Sequence, residues 1–513
     1  MADKKSIKVL QIGSNNWQNI YSLPDDIKWY FYQAADLGAL SQQIKEEKIR
    51  SFNVVLLEEA SDLLSLESYA KYIDPYTVLV NAQSERPTSK EGKFVWQLFQ
   101  ARLTSWEEPE RLIEDIRKYF FTGQYGDKLI TRAVEAHHSF LGKVVTDGYQ
   151  GLWFEGKFGK NFQPLGIWKN NFQYDGKQEL EFWLEYLKEG ACQLRLRLQF
   201  IKIGAVDNVY KEVLLEESDL TRAYVIEEDE SVYIAASLEA KGRGRIKIGS
   251  LHQRFSRGKY GKFLLGGEIQ ADHQRQELIY YFHPGDCKPP LNVYFSGFRP
   301  AEGFEGYYMM KSLGSPFVLV GDPRLEGGSF YMGSKELEQQ VVDYIQDKLN
   351  YLGFKSDQLT MSGLSMGTFG ALYYGVDFNP KAIVVGKPLV NIGDVALNLK
   401  FKRPDEFGTS LDMMRLIVGE PSRQGAELLN QKFWDKFDQA HFDETTLALA
   451  YMKDDDYDQN AYGDILERLY DSPTRIISKN RPGRHNDASG AIIEWFFKQY
   501  QVLLEKEFGR KFE

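Results

Sequence analysis

The sequence predicts a multidomain α/β protein: a small N-terminal α/β (Rossmann-like) unit, a central β-sandwich and a C-terminal α/β-hydrolase-like unit. Its 513 residues exceed what one hydrophobic core usually organises. Short apolar runs alternate with amphipathic helices at both ends, whereas the middle has strand-like runs without helices between them. We expect the units to cover residues 1–128, 129–288 and 289–513.

The N-terminal unit begins with three strand-like runs, "IKVLQIG", "FNVVLLEEA" and "YTVLVNA", separated by helical stretches such as "YFYQAADLGALSQQIKEEK". This alternation favours a parallel sheet with helices on its faces. The first turn, Gly13 to Trp17, lacks the second and third glycines of a dinucleotide-binding fingerprint. We interpret it as a scaffold turn.

The central unit has many short strand-like runs with glycines between them. Alternation is clearest in "QLRLRLQF", which places Leu194, Leu196 and Leu198 on one face and Arg195 and Arg197 on the other. Such a series of short strands is typical of a β-sandwich or jelly roll. It ends at "FHPGDCKPPL", which we interpret as a linker.

Composition excludes several classes of function. A formal charge of -10 is opposite to the electrostatic footprint of a general nucleic-acid binder, although "KGRGRIK" is locally basic. The two cysteines, Cys192 and Cys287, have neither metal nor disulfide spacing, which indicates a reducing compartment. No leader, membrane span, nucleotide cradle or coenzyme A cradle is recognisable. We expect a cytoplasmic protein without a firmly bound cofactor or metal.

The stretch "DQLTMSGLSMGTFGALYYG" carries the chemistry. Residues 363–367 match G-x-S-x-G between a strand and a helix, the context in which the serine of an α/β-hydrolase becomes exposed at a sharp turn. Ser365 is the predicted nucleophile, and the backbone N–H of Met366 is a predicted oxyanion donor. Ser362 is a rival that lacks a glycine two residues before it, so we interpret it as a strand residue.

A serine nucleophile needs a base, and two histidines follow it in the sequence. His441 lies in the helical stretch "QKFWDKFDQAHFDE" and is interpreted as a surface or packing residue. His485 lies in the loop "NRPGRHNDASG", after the strand-like "PTRIISK" and before the last helix. That position matches the chain order of nucleophile, acid and histidine in α/β-hydrolases, so His485 is the predicted base.

The acid is expected from the loop after the preceding strand, "YMKDDDYD". This loop offers Asp454, Asp455, Asp456 and Asp458. Neighbouring side chains on a turn point in different directions, so the sequence does not decide among them. Asp455 is our prediction, and Asp454 and Asp456 stay open as alternatives.

A second oxyanion donor is expected after the first strand-like run of the C-terminal unit, in "VYFSGFRPAEGF". The backbone N–H of Gly297 or of Phe298 is the candidate, beside the small Ser296. Arg299 either positions a substrate or caps a helix. The H-G-G-G sequence of lipases is absent.

Together these features resemble a known family. The "GLSMG" elbow, the "DDD" loop and "RHNDASG", joined to a β-rich unit with "HQRFSRGKYGKFLLGGE", are similar to the second accessory Sec secretion proteins of streptococci and related Gram-positive bacteria. The resemblance covers essentially the whole chain. By motif match it implies Ser365 as nucleophile, an acid among residues 454–456, and His485 as base.

The resemblance implies an O-acetyltransferase that modifies N-acetylglucosamine on glycosylated serine-rich-repeat adhesins and supports their export. The implied partners are the adhesin, the other accessory secretion proteins and the accessory SecA motor. The implied location is cytoplasmic, including peripheral association with the membrane translocon. Two alternatives stay open: a carbohydrate acetyl esterase, and a non-catalytic export adaptor with a vestigial triad. The acetyl donor is not identified by the sequence.

Overall fold

A computed structural model describes residues 6–205, 208–226, 228, 230–403 and 407–512 of the chain, without the side chains of residues 399–402. The described residues contain three large β-sheets, which follow one another along the chain. The N-terminal sheet is parallel, the central sheet is antiparallel, and the C-terminal sheet is mixed; the division into three units stays a prediction.

The N-terminal sheet has five parallel strands in the order β2-β1-β3-β4-β5. Alternate side chains of its strands enter two separate hydrophobic cores: Leu10 and Val55 lie in one, and Val9 and Val54 in the other. Helices therefore cover both faces, as the apolar runs predict. The elements are β1 (Ile7–Ile12), β2 (Ile27–Tyr32), α1 (Leu37–Glu46), β3 (Val54–Leu57), β4 (Val78–Asn81), α2 (Lys90–Phe99), β5 (Arg102–Thr104) and α3 (Pro109–Tyr119).

The first turn of this unit is occupied by a carboxylate. Glu58 accepts a hydrogen bond from the Ser14 amide at 2.5 Å and from the Ser14 hydroxyl at 2.8 Å. A Cβ at Gly13 would lie 2.7 Å from the same carboxylate. A negative group at this position repels a phosphate, which supports the interpretation as a scaffold turn.

In the part of the central unit that the structure describes, nine strands form one continuous sheet, not two sheets of short strands as predicted. Three of its strands are 18, 23 and 24 residues long. Each joins two runs that the sequence divides at a glycine. The strands are β6 (Gly126–Leu129), β7 (Val134–Ala136), β8 (Lys143–Asp147), β9 (Gly151–Trp168), β10 (Phe172–Tyr174), β11 (Leu180–Lys202), β12 (Val209–Glu216), β13 (Tyr224–Ile226) and β14 (Val232–Phe255).

The glycines that look like turns form a row across the long strands. Gly244 of β14 is in register with Gly156 of β9 on one side and with Gly190 of β11 on the other. Gly156 and Gly190 have φ values of 153° and 87°, and a Cβ at Gly244 would lie 2.1 Å from the carbonyl oxygen of Glu189. The row lets the strands bend without ending, and buried side chains from both halves form one core.

The C-terminal sheet has eight strands in the order β17-β18-β20-β19-β21-β22-β23-β24, antiparallel at β17, β18 and β20 and parallel elsewhere. Its strands are β17 (Glu268–Ala271), β18 (Glu277–His283), β19 (Leu291–Phe295), β20 (Phe317–Gly321), β21 (Leu359–Leu364), β22 (Ala382–Gly386), β23 (Thr446–Met452) and β24 (Arg475–Arg481). A small hairpin, β15 (Gly261–Lys262) and β16 (Leu264–Leu265), precedes them.

Helices on both faces of this sheet enclose two hydrophobic cores. They are α4 (Tyr307–Ser312), α5 (Lys335–Leu352), α6 (Met366–Phe378), α7 (Ile392–Lys402), α8 (Ser410–Val418), α9 (Arg423–Phe437), α10 (Ala461–Arg468) and α11 (Ser489–Phe508). Strands β17 and β18 precede the boundary that we expect at residue 289, yet they pair within this sheet. We therefore propose that the third unit starts near residue 268.

Candidate active site

Ser365 lies at a sharp turn between β21 and α6. Its backbone has φ 52° and ψ −120°, a conformation that a residue with a side chain adopts only under strain. A Cβ at Gly363 would lie 2.1 Å from the Gly367 carbonyl oxygen, and a Cβ at Gly367 would lie 2.0 Å from the Phe295 carbonyl oxygen. Both flanking glycines are therefore needed for the turn to close against β19.

The imidazole of His485 meets the Ser365 hydroxyl. Ser365 Oγ lies 2.8 Å from His485 Nε2, and His485 Nδ1 lies 2.9 Å from Asp455 Oδ2. His485 follows β24, and Asp455 follows β23, so the carboxyl ends of neighbouring strands deliver both side chains. His485 and Asp455 are 3% and 6% exposed, which keeps water from competing for their hydrogen bond.

The three neighbouring aspartates have different partners. Asp455 Oδ1 also accepts from the amides of Tyr457 and Asp458, at 2.9 and 3.2 Å. Asp456 accepts from the backbone N–H of His485 at 3.0 Å, whereas Asp454 accepts from the Gly483 amide at 3.3 Å. The structure thus brings Asp455 to the imidazole and uses the other two to hold the histidine loop.

Asp458 connects the acid loop to the neighbouring segment of the sheet edge. It accepts hydrogen bonds from the amides of Val390 and Asn391, at 2.8 and 2.7 Å. Burial raises the pKa of this carboxyl, and the amide hydrogen bonds partly offset that effect. Asp458 therefore joins the acid loop to the segment that follows β22.

Lys387 and Tyr457 are site residues that the sequence did not indicate. Lys387 adopts φ 59° at the end of β22, and its Nζ donates to the Asp487 carbonyl oxygen at 3.0 Å and to Ser489 Oγ at 2.8 Å. Burial lowers the pKa of this amine. The Tyr457 ring lies 4.4 Å from the His485 ring, centroid to centroid. Both residues fix the loop that carries the imidazole, and their identities alone contain no signal of that role.

The predicted oxyanion donors, Met366, Gly297 and Phe298, line the same pocket as Ser365. Met366 is the first residue of α6, so its amide lies at the positive end of that helix. The Gly297 amide donates to Glu305 Oε2 at 2.7 Å, so a carboxylate already uses this predicted donor. Phe298 lines the same pocket, and its amide stays a prediction.

The side chain of Arg299 bonds within its own loop, and the two roles expected for it stay predictions. Its Nε donates to the Ala301 carbonyl oxygen at 3.0 Å and its Nη1 to the Phe304 carbonyl oxygen at 3.3 Å. The side chain therefore closes its own loop.

The rival serine and histidine lie away from the site. Ser362 is fully buried in β21, where it donates to the Val293 carbonyl oxygen at 3.1 Å and accepts from Tyr500 Oη at 2.9 Å. His441 is exposed on the loop between α9 and β23. Both positions agree with the structural roles predicted for them.

A pocket of about 760 Å³ opens over the Ser365 hydroxyl. Its apolar wall includes Phe298, Phe330 and Phe407. Asp127 and Lys128, from β6 of the central sheet, also line this pocket. The central unit therefore contributes directly to the pocket, and the site combines an activated hydroxyl with a mixed apolar and charged cavity.

Among the residues that the structure describes, no group of three or more His, Cys, Asp or Glu side chains could hold a metal ion. In the same part of the chain, every helix is too short or too polar to cross a bilayer. Cys192 and Cys287 are not disulfide-bonded.

The model of one protein family, described as accessory Sec system GspB-transporter (accessory secretory protein 2), matches residues 7–510. The chain belongs to this family. An accessory Sec system protein of the family from Streptococcus gordonii is 40% identical over 509 residues, 99% of this chain and 100% of the relative. One from Staphylococcus aureus (strain NCTC 8325 / PS 47) is 41% identical over 519 residues, 99% of this chain and 98% of the relative.

A solved structure shows the same fold over the whole chain. One chain of the Glycosylation Associate Protein (Gap123) complex from Streptococcus agalactiae superposes with a TM-score of 0.92 and 40% sequence identity. The match covers 99% of this chain and 100% of that one. The resemblance found in the sequence is thus confirmed at the level of the family.

Proposed function

We propose that this chain is a serine-dependent acetyltransferase of the α/β-hydrolase type, which O-acetylates N-acetylglucosamine on glycosylated serine-rich-repeat adhesins and supports their export through the accessory Sec system. The observation that carries the catalytic part is the continuous contact from Ser365 Oγ through His485 to Asp455, at 2.8 and 2.9 Å. Membership of the accessory Sec family supports the export part.

In the proposed reaction, Ser365 Oγ forms a bond to the acyl carbonyl carbon while its proton passes to His485 Nε2. The carbonyl electron pair moves to oxygen, which accepts a hydrogen bond from the Met366 amide. The electron pair on this oxygen then re-forms the carbonyl double bond, and the bond to the donor's leaving group breaks. The leaving group takes the proton from His485. Asp455 holds the imidazole in the required tautomer and stabilises its charged form.

Transfer repeats these steps with a sugar hydroxyl. The hydroxyl gives its proton to His485 Nε2 and attacks the acyl-serine, and Ser365 recovers a proton as it leaves. The pocket is large enough for a sugar ring beside the acyl group, and small sites of this kind usually span 300–1,000 Å³. Its charged side, at Asp127 and Lys128, supports recognition of a polar acceptor such as a glycan.

The partners follow from the relatives. Both curated relatives are named as accessory Sec system proteins, and the solved structure of 40% identity is a complex. We propose that this chain also works with the other accessory secretion proteins and the accessory SecA motor. The proposed location is cytoplasmic, with peripheral association at the translocon.

The test presents purified protein with an activated acetyl ester and a glycopeptide that carries N-acetylglucosamine. We expect the acetylated glycopeptide to form, as measured by mass spectrometry, and we expect Ser365→Ala to abolish it. Ser362→Ala is the matched control, because this serine lies in the same strand and bonds only within the core. It should retain acetylation.

Two outcomes would favour the alternatives. Release of acetate without transfer to any glycopeptide would indicate an esterase. Normal adhesin export and unchanged adhesin modification in cells that carry Ser365→Ala would indicate an adaptor whose triad has no function.

A further inference from the structure

We propose that Glu305 controls the second oxyanion donor: its carboxylate holds the Gly297 amide at rest, and the acyl oxygen of the substrate replaces it as negative charge develops. This inference rests on the proposed function. It adds a residue that the sequence did not indicate and a step at which the site responds to its substrate.

Gly297 lies beside the nucleophile. Strand β19 ends at Phe295, which pairs with Gly363 of the elbow strand. A Cβ at Gly297 would lie 3.2 Å from the carbonyl oxygen of Leu364, the residue before Ser365. Gly297 and Ser365 line the same pocket. The Gly297 backbone is therefore where an amide can serve an oxyanion formed at Ser365.

The Gly297 amide is hydrogen-bonded to a carboxylate. Gly297 N donates to Glu305 Oε2 at 2.7 Å, a length typical of a charge-assisted hydrogen bond. Glu305 also lines the pocket, with its side chain only partly buried. A carboxylate oxygen thus accepts the hydrogen bond that a tetrahedral oxyanion would need.

The backbone between Gly297 and Glu305 is held by hydrogen bonds. Gln124 Nε2 donates to the Phe304 carbonyl oxygen at 2.7 Å, and Gln124 Oε1 accepts from the Phe304 amide at 2.8 Å. The Glu302 amide donates to the Gly126 carbonyl oxygen at 3.0 Å. Gln124 and Gly126, the first residue of β6, therefore fix the loop from the side of the central unit.

Buried charges fix the same loop. Glu302 lies 2.5 Å from His252 Nδ1 and 2.7 Å from Arg254 Nε, both on β14. Lys128 Nζ is 3.9 Å from the same carboxylate. Glu302, His252 and Arg254 are almost fully buried, so moving the loop would separate charges in a medium where they are poorly solvated. Release of the Gly297 amide is therefore a rotation of the Glu305 side chain, not a movement of the loop.

The exchange favours the transition state. A neutral carbonyl oxygen is a weaker acceptor than a carboxylate, so the ground-state substrate does not displace Glu305. The oxyanion carries full charge and competes for the amide. An interaction made only in the transition state raises kcat more than it lowers KM.

The experiment compares Glu305→Ala and Glu305→Gln with wild type. We measure the rate constant for labelling of Ser365 by a fluorophosphonate, and kcat and KM for an activated acetyl ester. Glu305→Ala frees the amide, so labelling and kcat should rise about 3- to 10-fold with KM within about 2-fold. Glu305→Gln keeps an acceptor without the charge and should give a smaller rise.

Glu336→Ala is the matched control. Glu336 likewise accepts a backbone amide, that of His273 at 3.0 Å, but it lies outside the pocket. It should leave labelling unchanged. Melting temperatures confirm that every variant folds.

Three results decide the inference. Slower labelling of a folded Glu305→Ala protein would show that Glu305 braces the donor, and an unchanged rate would show that Gly297 is not a donor; either overturns the inference while the proposed function stands. Labelling of Ser365 in Glu305→Ala but not in wild type would support both. Absence of labelling in every folded variant would overturn both.

Discussion

At the scale of single residues, backbone hydrogen bonds decide which carboxylate serves the histidine. Asp455 Oδ1 is held by two amides of its own turn, so its Oδ2 is directed at His485 Nδ1. Asp456 bonds the backbone of His485 and pairs with Arg403 at 3.2 Å. One carboxylate therefore orients the ring, and its neighbour orients the main chain.

We expect Asp455→Asn to lower the rate of Ser365 labelling by a factor on the order of 10³, because an amide cannot hold the required tautomer or stabilise the imidazolium. Asp454→Asn and Asp456→Asn are matched controls from the same turn. Each should change the rate by less than about 10-fold, since neither contacts the imidazole in the structure. A larger loss of labelling rate in Asp456→Asn than in Asp455→Asn would show that Asp455 is not the acid of the triad.

The sequence allows some of these residues to be predicted and not others. Ser365, His485 and the aspartate loop follow from chain order, because parallel strands bring their carboxyl ends to one edge of the sheet. The choice of Asp455 depends on turn geometry, and the bond from Gly297 to Glu305 depends on how an irregular loop folds back. No spacing rule describes either of these contacts.

At the scale of elements, two groups of glycines do different work. Gly363 and Gly367 allow a strand and a helix to meet at the elbow, and the motif identifies them. Gly156, Gly190 and Gly244 lie within long strands and form the bend of the central sheet. In the sequence, a glycine that ends a strand and one that bends it look alike, so each long strand was predicted as two short ones.

We expect Gly363→Ala to destabilise the protein by about 3 kcal/mol or more, since the new Cβ would lie 2.1 Å from a backbone carbonyl that cannot rotate away. Loss of labelling should accompany the loss of stability. Gly463→Ala in α10 is the matched control, because a Cβ there meets nothing within 4 Å. It should stabilise the protein slightly by improving helix propensity. Thermal unfolding of both variants measures the contrast; equal melting temperatures would contradict the role of Gly363.

At the scale of the whole molecule, buried charges join the central and C-terminal units. His252 of β14 lies between Glu302, at 2.5 Å from Nδ1, and Glu185 of β11, at 3.0 Å from Nε2. Arg254 of the same strand also bonds Glu277 of β18, at 2.6 Å. Strands β17 and β18 precede the boundary expected at residue 289 but belong to the C-terminal sheet, which supports the start near residue 268 that we propose.

These contacts make stability depend on pH. Burial alone would lower the pKa of His252, but Glu302 and Glu185 outweigh it and raise the pKa from 6.5 to about 9, while Arg254 acts in the opposite direction. Because the pKa of His252 is raised in the folded state, the charged imidazole contributes fully to stability below about pH 6.5. This contribution is lost as the pH rises through about 9.

We expect His252→Gln to cost about 3–5 kcal/mol of unfolding free energy near pH 6. The difference from wild type should shrink by about 3 kcal/mol near pH 9.5. Urea unfolding of both proteins at the two pH values measures it. A difference that stays constant across this range would show that His252 is neutral in the fold.

The central claim is that Ser365 acts as a nucleophile activated by His485. Its most direct test is to react the native protein with a fluorophosphonate, digest it and locate the adduct by mass spectrometry. The account predicts one adduct, on Ser365, which disappears in a folded His485→Ala variant. An adduct on another serine, or an equal yield on Ser365 without the imidazole, would contradict it.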